Sequence, residues 1–443
     1  MNFRQLYIVI FGFAIPVLGW AQPADSSISQ LSLLDAIQVG LNQNFQILVS
    51  KKSIEKAINN NTYGQAGGLP TVDLGLNQNN SVSQNNNPAS FLQGTYSSNS
   101  LRPFVDVSFT IFSGFKIKMT KEKLDLLQSQ SEGNATLVIQ NTIQAIILAY
   151  YDVVVQQKKL EIFEEVKNLS RDQYELNQHK KNLGTITTFD LVQVQSAYFS
   201  DSTSFINQEL AVNNAVRNLN LLLALPIETE AMLVDTILPE IQLFSLEALH
   251  DEMFSNNQNL KNLLINQELL HNDITLRKSD LYPRLSVGVG GSDNFTHFQS
   301  ERGKSDGSTL NFYGNFTLSY RLYNGGIVRR SIESSKIQSD IGELNIAELK
   351  LSLERDLNSA YDTYNNRIKI VGISHANVGI AKINLDLGSD KFKNGTINSF
   401  NYRDIQLKYI LASLSELEAA YLLIQSHTEL VRLTGGILSN TEQ

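Results

Sequence analysis

The sequence predicts a mostly helical protein with a small antiparallel β part, built as two copies of one helix–hairpin–long helix–helix unit. Three observations carry that prediction. Segments recur along the chain at a near-constant offset, two helical stretches run for about 66 residues without proline, and four strands alternate apolar with polar.

The repeat sets the organisation. Phe109-Thr-Ile-Phe-Ser-Gly-Phe115 lies 211 positions before Tyr320-Arg-Leu-Tyr-Asn-Gly-Gly326, and Gly184-Thr-Ile-Thr-Thr-Phe189 matches Gly395-Thr-Ile-Asn-Ser-Phe400 at the same offset. At an offset of 213, Leu69-Pro70 falls on Tyr282-Pro283 and Ser32-Leu33 on Ser245-Leu246. The boundaries follow: a first repeat over 22–230, a linker over 231–243, a second repeat over 244–436 and a tail over 437–443.

Each copy reads in the same order. A helix is expected over Leu31–Gln65, opening at Ser32 as N-cap and broken by Gly67-Gly68-Leu69-Pro70. Strands follow at about 71–83 and 104–112, around a polar loop over Gln84–Ser100. A long helix then spans Lys116–Lys181, with Gly133 its only internal glycine, and a turn at Asn182–Thr187 leads into a helix ending near Leu225-Pro226. In the second copy the parts are Leu246–Leu281, strands at about 285–294 and 310–323, Ile327–Phe392 and Ser399–Leu433. Val138, Thr142, Ala145, Ala149 and Val153 mark one helical seam, while Ile143, Ile147 and Tyr151 mark a second, so the long helix packs on two sides. At 1.5 Å per residue such a helix is a rod of roughly 100 Å, longer than any compact domain.

The strands are apolar on one side only. Val105, Val107, Phe109 and Ile111 oppose Asp106, Ser108 and Thr110; Phe312, Phe316, Leu318, Tyr320 and Leu322 oppose Asn311, Tyr313, Asn315 and Thr317. Nine to thirteen residues with that alternation match an outer-membrane barrel strand, and the named apolar residues are then lipid-facing. A soluble sheet covering a core is the alternative. Phe104, Phe112, Tyr282, Phe295 and Tyr323 near strand ends suit an interfacial girdle. An open sheet edge cannot lie in lipid, and four strands cannot close a barrel, so lipid-facing strands demand several copies of the chain.

Other features narrow the function classes. Arg4, the apolar run Leu6–Leu18 and Gly19-Trp20-Ala21 read as a signal peptide over 1–21; the run of about 13 residues is short of the ~20 a membrane anchor needs. A hydrophobic content of 42% with 18% charged residues excludes both a disordered chain and a bundle of membrane helices. The net charge of −8 argues against nucleic acid as a partner. With no cysteine, there are no disulfides, thiolate metal sites or lipidated cysteines. None of the six histidines lies three or four residues from another, and no phosphate-binding glycine loop with lysine is present. Gly288-x-Gly290 lacks its third glycine, Asp293 holding that place, and begins a strand. No catalytic constellation emerges, and no cofactor is expected.

The order of elements resembles the TolC-like outer membrane efflux protein family. The resemblance covers nearly all of the chain after the signal, and rests on Leu31-Ser-Leu-Leu-Asp-Ala-Ile37 followed by Asn42 and Asn44. Further markers are Ser245-Leu-Glu-Ala-Leu249 followed by Asn256-Asn257, the strand entries Leu69-Pro70 and Leu281-Tyr-Pro283, and the turns at Gly184 and Gly395. It implies a homotrimer with one twelve-stranded barrel in outer-membrane lipid and a helical tunnel through the periplasm. The tunnel tip would meet a periplasmic adaptor and an inner-membrane pump of RND or ABC type, for small-molecule efflux or type I secretion. Leu183, Gly184, Thr185, Gly395 and Thr396 map to that tip as adaptor contacts, and Asp190 to the helix cap just after the first turn; the second copy has Asn401 there. Asp386 and Asp390, one turn apart before the second tip turn, are candidates for carboxylate rings that gate the tunnel. A periplasmic coiled-coil scaffold with soluble β-hairpins is the rival reading.

Overall fold

The computed structural model describes residues 30–91, 93–229, 232–237 and 241–437. The expected signal peptide over 1–21 lies outside them, as do parts of the linker and tail. The first repeat comprises α1 (Leu33–Gln43), α2 (Phe45–Asn60), β1 (Thr71–Asn85), β2 (Gly94–Ser113), α3 (Lys116–Asn182) and α4 (Thr188–Leu223). The second comprises α5 (Leu246–Asn256), α6 (Gln258–Lys278), a 3-10 turn at Ser279–Leu281, β3 (Arg284–Ser300), β4 (Gly303–Ser319), α7 (Ile327–Lys393) and α8 (Ser399–Leu433). The tandem order expected from the offsets is present.

The single first helix expected in each copy is instead two. Asn44 leaves helical geometry (φ −58°, ψ 127°), and its side-chain oxygen accepts from the Gln46 and Ile47 amides at 2.9 and 3.3 Å. Its Nδ2 donates to the Leu222 carbonyl at 2.8 Å, at the end of α4. Asn257 does the same in the second repeat, accepting from the Leu260 amide at 3.1 Å and donating to the Leu433 carbonyl at 2.9 Å. A carboxamide caps one helix and anchors another at once, because it is the short side chain that both accepts and donates. Both asparagines are buried.

The long helices α3 and α7 are each 67 residues, about 100 Å at 1.5 Å per residue. Each folds back on its partner, α3 on α4 and α7 on α8, and α3 also packs against α2, α6 and α8. The first core forms midway along α3. Ile143, Ile146, Tyr150 and Val153 are buried against Ala36 and Ile37 of α1 and Leu219 and Leu223 of α4. The second repeat builds its counterpart from Leu353, Leu357 and Tyr364 with Leu249, Met253, Leu423 and Leu430. One stretch of α3 is apolar and long enough to cross a membrane, yet half of it is buried within the protomer. Its apolarity is accounted for by that core. Truncating a leucine in such a core costs about 2–5 kcal/mol.

The four strands form one antiparallel sheet in the order β1-β2-β3-β4, with β2 pairing β3 across the repeats. The polar segment expected as a loop over Gln84–Ser100 is mostly ladder: Asn85 pairs Gly94 and Ser97 pairs Val82. The β3–β4 hairpin closes with only Glu301 and Arg302 between Ser300 and Gly303. Tertiary pairing overrode the turn-forming composition of those residues. At its other end β4 is shorter than expected, stopping at Ser319, so Tyr320 and Leu322 lie in the crossover to α7 and not on the strand.

Asn44→Ala or Asn257→Ala should each cost on the order of 1–3 kcal/mol, read as a lower thermal midpoint of the detergent-solubilised protein. Asn44→Asp, which keeps the cap but loses the donor, should fall between. Unchanged midpoints would show that the asparagine anchors do not hold the helix breaks.

Candidate functional site

Residues paired across antiparallel strands share a face, so the register lays out the two surfaces of the sheet. Leu74, Val105, Gly291 and Phe312 form one row; Val72, Val107, Val289 and Gly314 the next; Phe109, Val287 and Phe316 a third. Leu318 and Leu285 continue that face beside Phe112. The register slips between Thr110 and Phe112, making Ile111 a bulged extra residue and Phe112 the partner of Leu285. The Phe312 ring lies over Gly291, where a Cβ would fall 2.9 Å from it.

On β3 this face carries Leu285, Val287, Val289 and Phe295, with Gly291 and a single acid, Asp293 beside Leu310, between them; Phe295 pairs with Leu101. Ten steps of about 3.3 Å, tilted by about 40°, give a band roughly 25 Å tall, the height of an outer-membrane barrel's apolar zone. Beyond it the same face turns polar, with Asn80, Asn99, His297 and Asp306 in one row, His297 and Asp306 paired at 2.5 Å. At the helical end, Phe115 packs edge-on to both Phe112 and Tyr282, with ring centroids 5.4 and 6.2 Å away.

The opposite face is polar. Asp73, Asp106, Gly290 and Tyr313 share a row, and the Tyr313 hydroxyl donates to the Asp106 carboxylate across Gly290. A Cβ at Gly290 would lie 2.6 Å from that hydroxyl oxygen, which is why this position is glycine. Phe104 also lies on this face, covering Gly75, and therefore does not join an outward aromatic girdle.

The far end of the helical hairpins presents two matching turns. Gly184 takes φ 74° and Gly395 φ 70°, the left-handed conformation that glycine adopts without a steric cost. The Gly184 and Thr185 amides donate to the Lys181 and Lys180 carbonyls at 2.9 and 3.0 Å; the Gly395 and Thr396 amides donate to Phe392 and Lys391 at 3.1 and 2.8 Å. Both turns are Schellman closures. After the first, Asp190 completes a capping box: its amide donates to the Thr187 hydroxyl and its carboxylate accepts from the Thr187 amide, both at 3.1 Å. After the second, Asn398 caps the Asn401 amide at 2.9 Å and no acid takes part.

Leu183 is 79% exposed at the tip, Phe189 76% and Phe400 63%. The two phenylalanines, one repeat apart, were visible as motif ends but not as surface groups; exposure depends on which helix face meets a neighbour. Asp386 and Asp390 lie exposed on α7 above the second turn, and Lys382 approaches Asp386 at 3.9 Å and Glu165 at 3.5 Å. Although partial burial opposes its charge, Glu165 and Asp386 leave the Lys382 ammonium above its ordinary range.

A second polar link near the tip escaped the sequence entirely. Arg403 of α8 donates to both oxygens of buried Asp201 of α4 at 2.7 and 2.6 Å, and Ser170 of α3 donates to the same carboxylate. The fork ties the two helical hairpins together. Its partners lie 31 and 202 positions apart, with no local signature. Among the described residues no group of three His, Asp or Glu is placed to hold a metal.

A lipid-height apolar wall, open at both edges, mounted on rods of about 100 Å defines a subunit of a membrane-anchored duct. The chain belongs to the outer membrane efflux protein family, whose model matches residues 36–225 and again 249–436. It is accordingly an outer-membrane channel protein of efflux systems, and not an enzyme. No curated relative matches the sequence. Among solved structures it is similar to the CmeC outer membrane channel of Campylobacter jejuni, at 15% identity and a TM-score of 0.77 over 99% of this chain and 97% of that one. It is also similar to the open-state MtrE outer membrane channel of Neisseria gonorrhoeae (13% identity, TM-score 0.70, 92% of this chain and 89% of that). The outer membrane protein VceC of Vibrio cholerae is a third, at 12% identity and a TM-score of 0.67 over 91% and 96%.

The Thr187 hydroxyl and amide hold the Asp190 carboxyl below the ordinary carboxylate range. A group lowered in the fold stabilises it above its unfolded pKa and loses that contribution as pH falls through the folded value. Hydrogen-exchange protection at the start of α4, corrected for intrinsic rates, should therefore drop below about pH 4, while the start of α8 holds. Asp190→Asn should abolish the difference; equal behaviour of the two starts in the unmodified protein would contradict the assignment.

Proposed function

We propose that three copies of this chain form a passive exit duct of a tripartite export system, energised by its partners. Its strands would close one twelve-stranded barrel and its helices a periplasmic tunnel, the repeats spanning 22–230 and 244–436 joined by the linker over 231–243. The observation that carries this reading is the pair of open edges, β1 and β4, on a sheet whose apolar face has lipid height. In lipid each unpaired backbone group costs several kcal/mol, so the edges must be met by other copies. Family membership supports three as their number.

In that assembly Val105, Val107, Phe109, Ile111, Phe312, Phe316 and Leu318 face lipid, together with Val72, Leu74 and Val287. Leu183, Gly184, Thr185, Gly395 and Thr396 meet a periplasmic adaptor, joined by the exposed rings of Phe189 and Phe400. An inner-membrane pump of RND or ABC type drives transport through that adaptor. Asp386 and Asp390 form carboxylate rings near the tip, their charge only partly offset by Lys382.

Single-channel recording of the detergent-extracted oligomer tests both levels. The purified protein should run as a trimer and conduct, with divalent cations blocking it; Asp386→Asn with Asp390→Asn should relieve that block severalfold. A protein that stays monomeric in plain buffer contradicts the duct. Unchanged block in a conducting variant removes the gate role alone.

A further inference from the structure

Where the strands meet the long helices, the protomer holds a cavity of about 800 Å³. Thr110, Arg284 and Ser319 line it from the polar face of β2, β3 and β4, so the cavity opens on the side away from the apolar wall. Four cationic side chains border it: Lys116, Arg277, Arg284 and Arg321. Asp280 is the only acid among the lining residues, and it lies 3.7 Å from Lys116. The three arginines have no carboxylate partner within the cavity wall. Arg284 donates only to the Thr110 hydroxyl, at 3.2 Å. A concentration of positive charge at one level is conspicuous in a chain whose net charge is −8.

The local backbone adds to that field. The first residues of α3 and α7 also line the cavity, neither helix start has a side-chain cap, and neither first turn contains an acid. Helix starts carry partial positive charge and ordinarily attract acids. Here Lys116 occupies the first position of α3 instead, an arrangement that disfavours the helix and that Asp280 alone, 3.7 Å away, offsets within the cavity.

We infer that this cavity is an anion site on the export path, taking dissolved solutes that bear a phosphate, sulfate or carboxylate group. The inference rests on the duct reading, which makes the polar face the wall of the lumen. Guanidinium groups bind such oxyanions through paired N–H bonds, and a cavity of this size admits a small organic anion. Its position on the lumenal face favours a solute over a lipid headgroup, which would approach the apolar wall. Threefold repetition would set a basic belt at the junction of barrel and tunnel, between the acidic Asp73–Asp106 row further along the barrel and the acids near the tip. An anionic solute leaving the tunnel would pause there before entering the barrel.

Isothermal titration of the detergent-solubilised oligomer with inorganic pyrophosphate at low salt tests this. Saturable binding is expected, weakened at least tenfold by Arg284→Gln with Arg321→Gln and weakening as salt rises. Arg302→Gln with Lys304→Gln removes the same charge at the β3–β4 turn and should leave the affinity unchanged. If the first double variant does not assemble, Arg277→Gln is read instead, with a loss of about threefold expected. A conducting trimer without saturable binding, or equal losses in the two double variants, overturns the anion site and leaves the duct standing. A monomer soluble in buffer overturns both.

Discussion

Backbone hydrogen bonding at two strand edges governs what this protein can be. β1 and β4 each leave one row of amides and carbonyls without a partner in the sheet, beside an apolar face of lipid height. In water such edges are tolerable, though prone to pairing with other chains. In hydrocarbon they are not. One protomer therefore cannot be a stable membrane object, and its wall, tunnel and tip acquire meaning only in a closed set of copies.

The helices are constrained by the same assembly. A rod of about 100 Å cannot be supported by one core, and α3 and α7 are instead gripped midway by two related cores. The asparagines at 44 and 257 interrupt the accompanying helices and tie them to the ends of α4 and α8. Toward the tip a smaller core of Leu385, Phe392 and Tyr402 joins α7 to α8, and polar links such as the Arg403–Asp201–Ser170 cluster join the two hairpins. Exposed isoleucines and leucines on α7, including Ile373, Ile380, Ile383 and Leu387, recur at helical spacing, three of them along a groove shared with Leu411 of α8. That groove is the kind of surface a neighbouring copy covers.

Much of this was legible in the sequence because duplication and periodicity are local signals. The offset of 211 aligned the tip turns, and φ values near 70° at Gly184 and Gly395 account for the glycine in both. Alternation identified the apolar face of β2 and β4. Composition misled where pairing outweighs propensity: the Asn- and Ser-rich segment before Leu101 is ladder, because β1 and β3 flank it. The splits at Asn44 and Asn257 were hidden since asparagine is only a weak helix breaker until a carbonyl elsewhere accepts its amide. Phe104 falls on the polar side by the alternation of β2 itself, and the register shows it covering Gly75 there instead of joining an outward girdle. The basic cavity could not be read at all, for its cations come from four separated segments.

The absence of native cysteine makes the central claim directly measurable. Within one sheet β1 and β4 lie three strand spacings apart, roughly 14 Å, whereas a disulfide needs Cα atoms within about 7 Å. A short panel pairing Leu74→Cys with Phe312→Cys, Phe316→Cys or Leu318→Cys, oxidised in isolated outer membranes, should lock at least one pair into a covalent trimer on denaturing gels. Only monomers across the whole panel, with both thiols still free, would mean that the edges are not joined between copies.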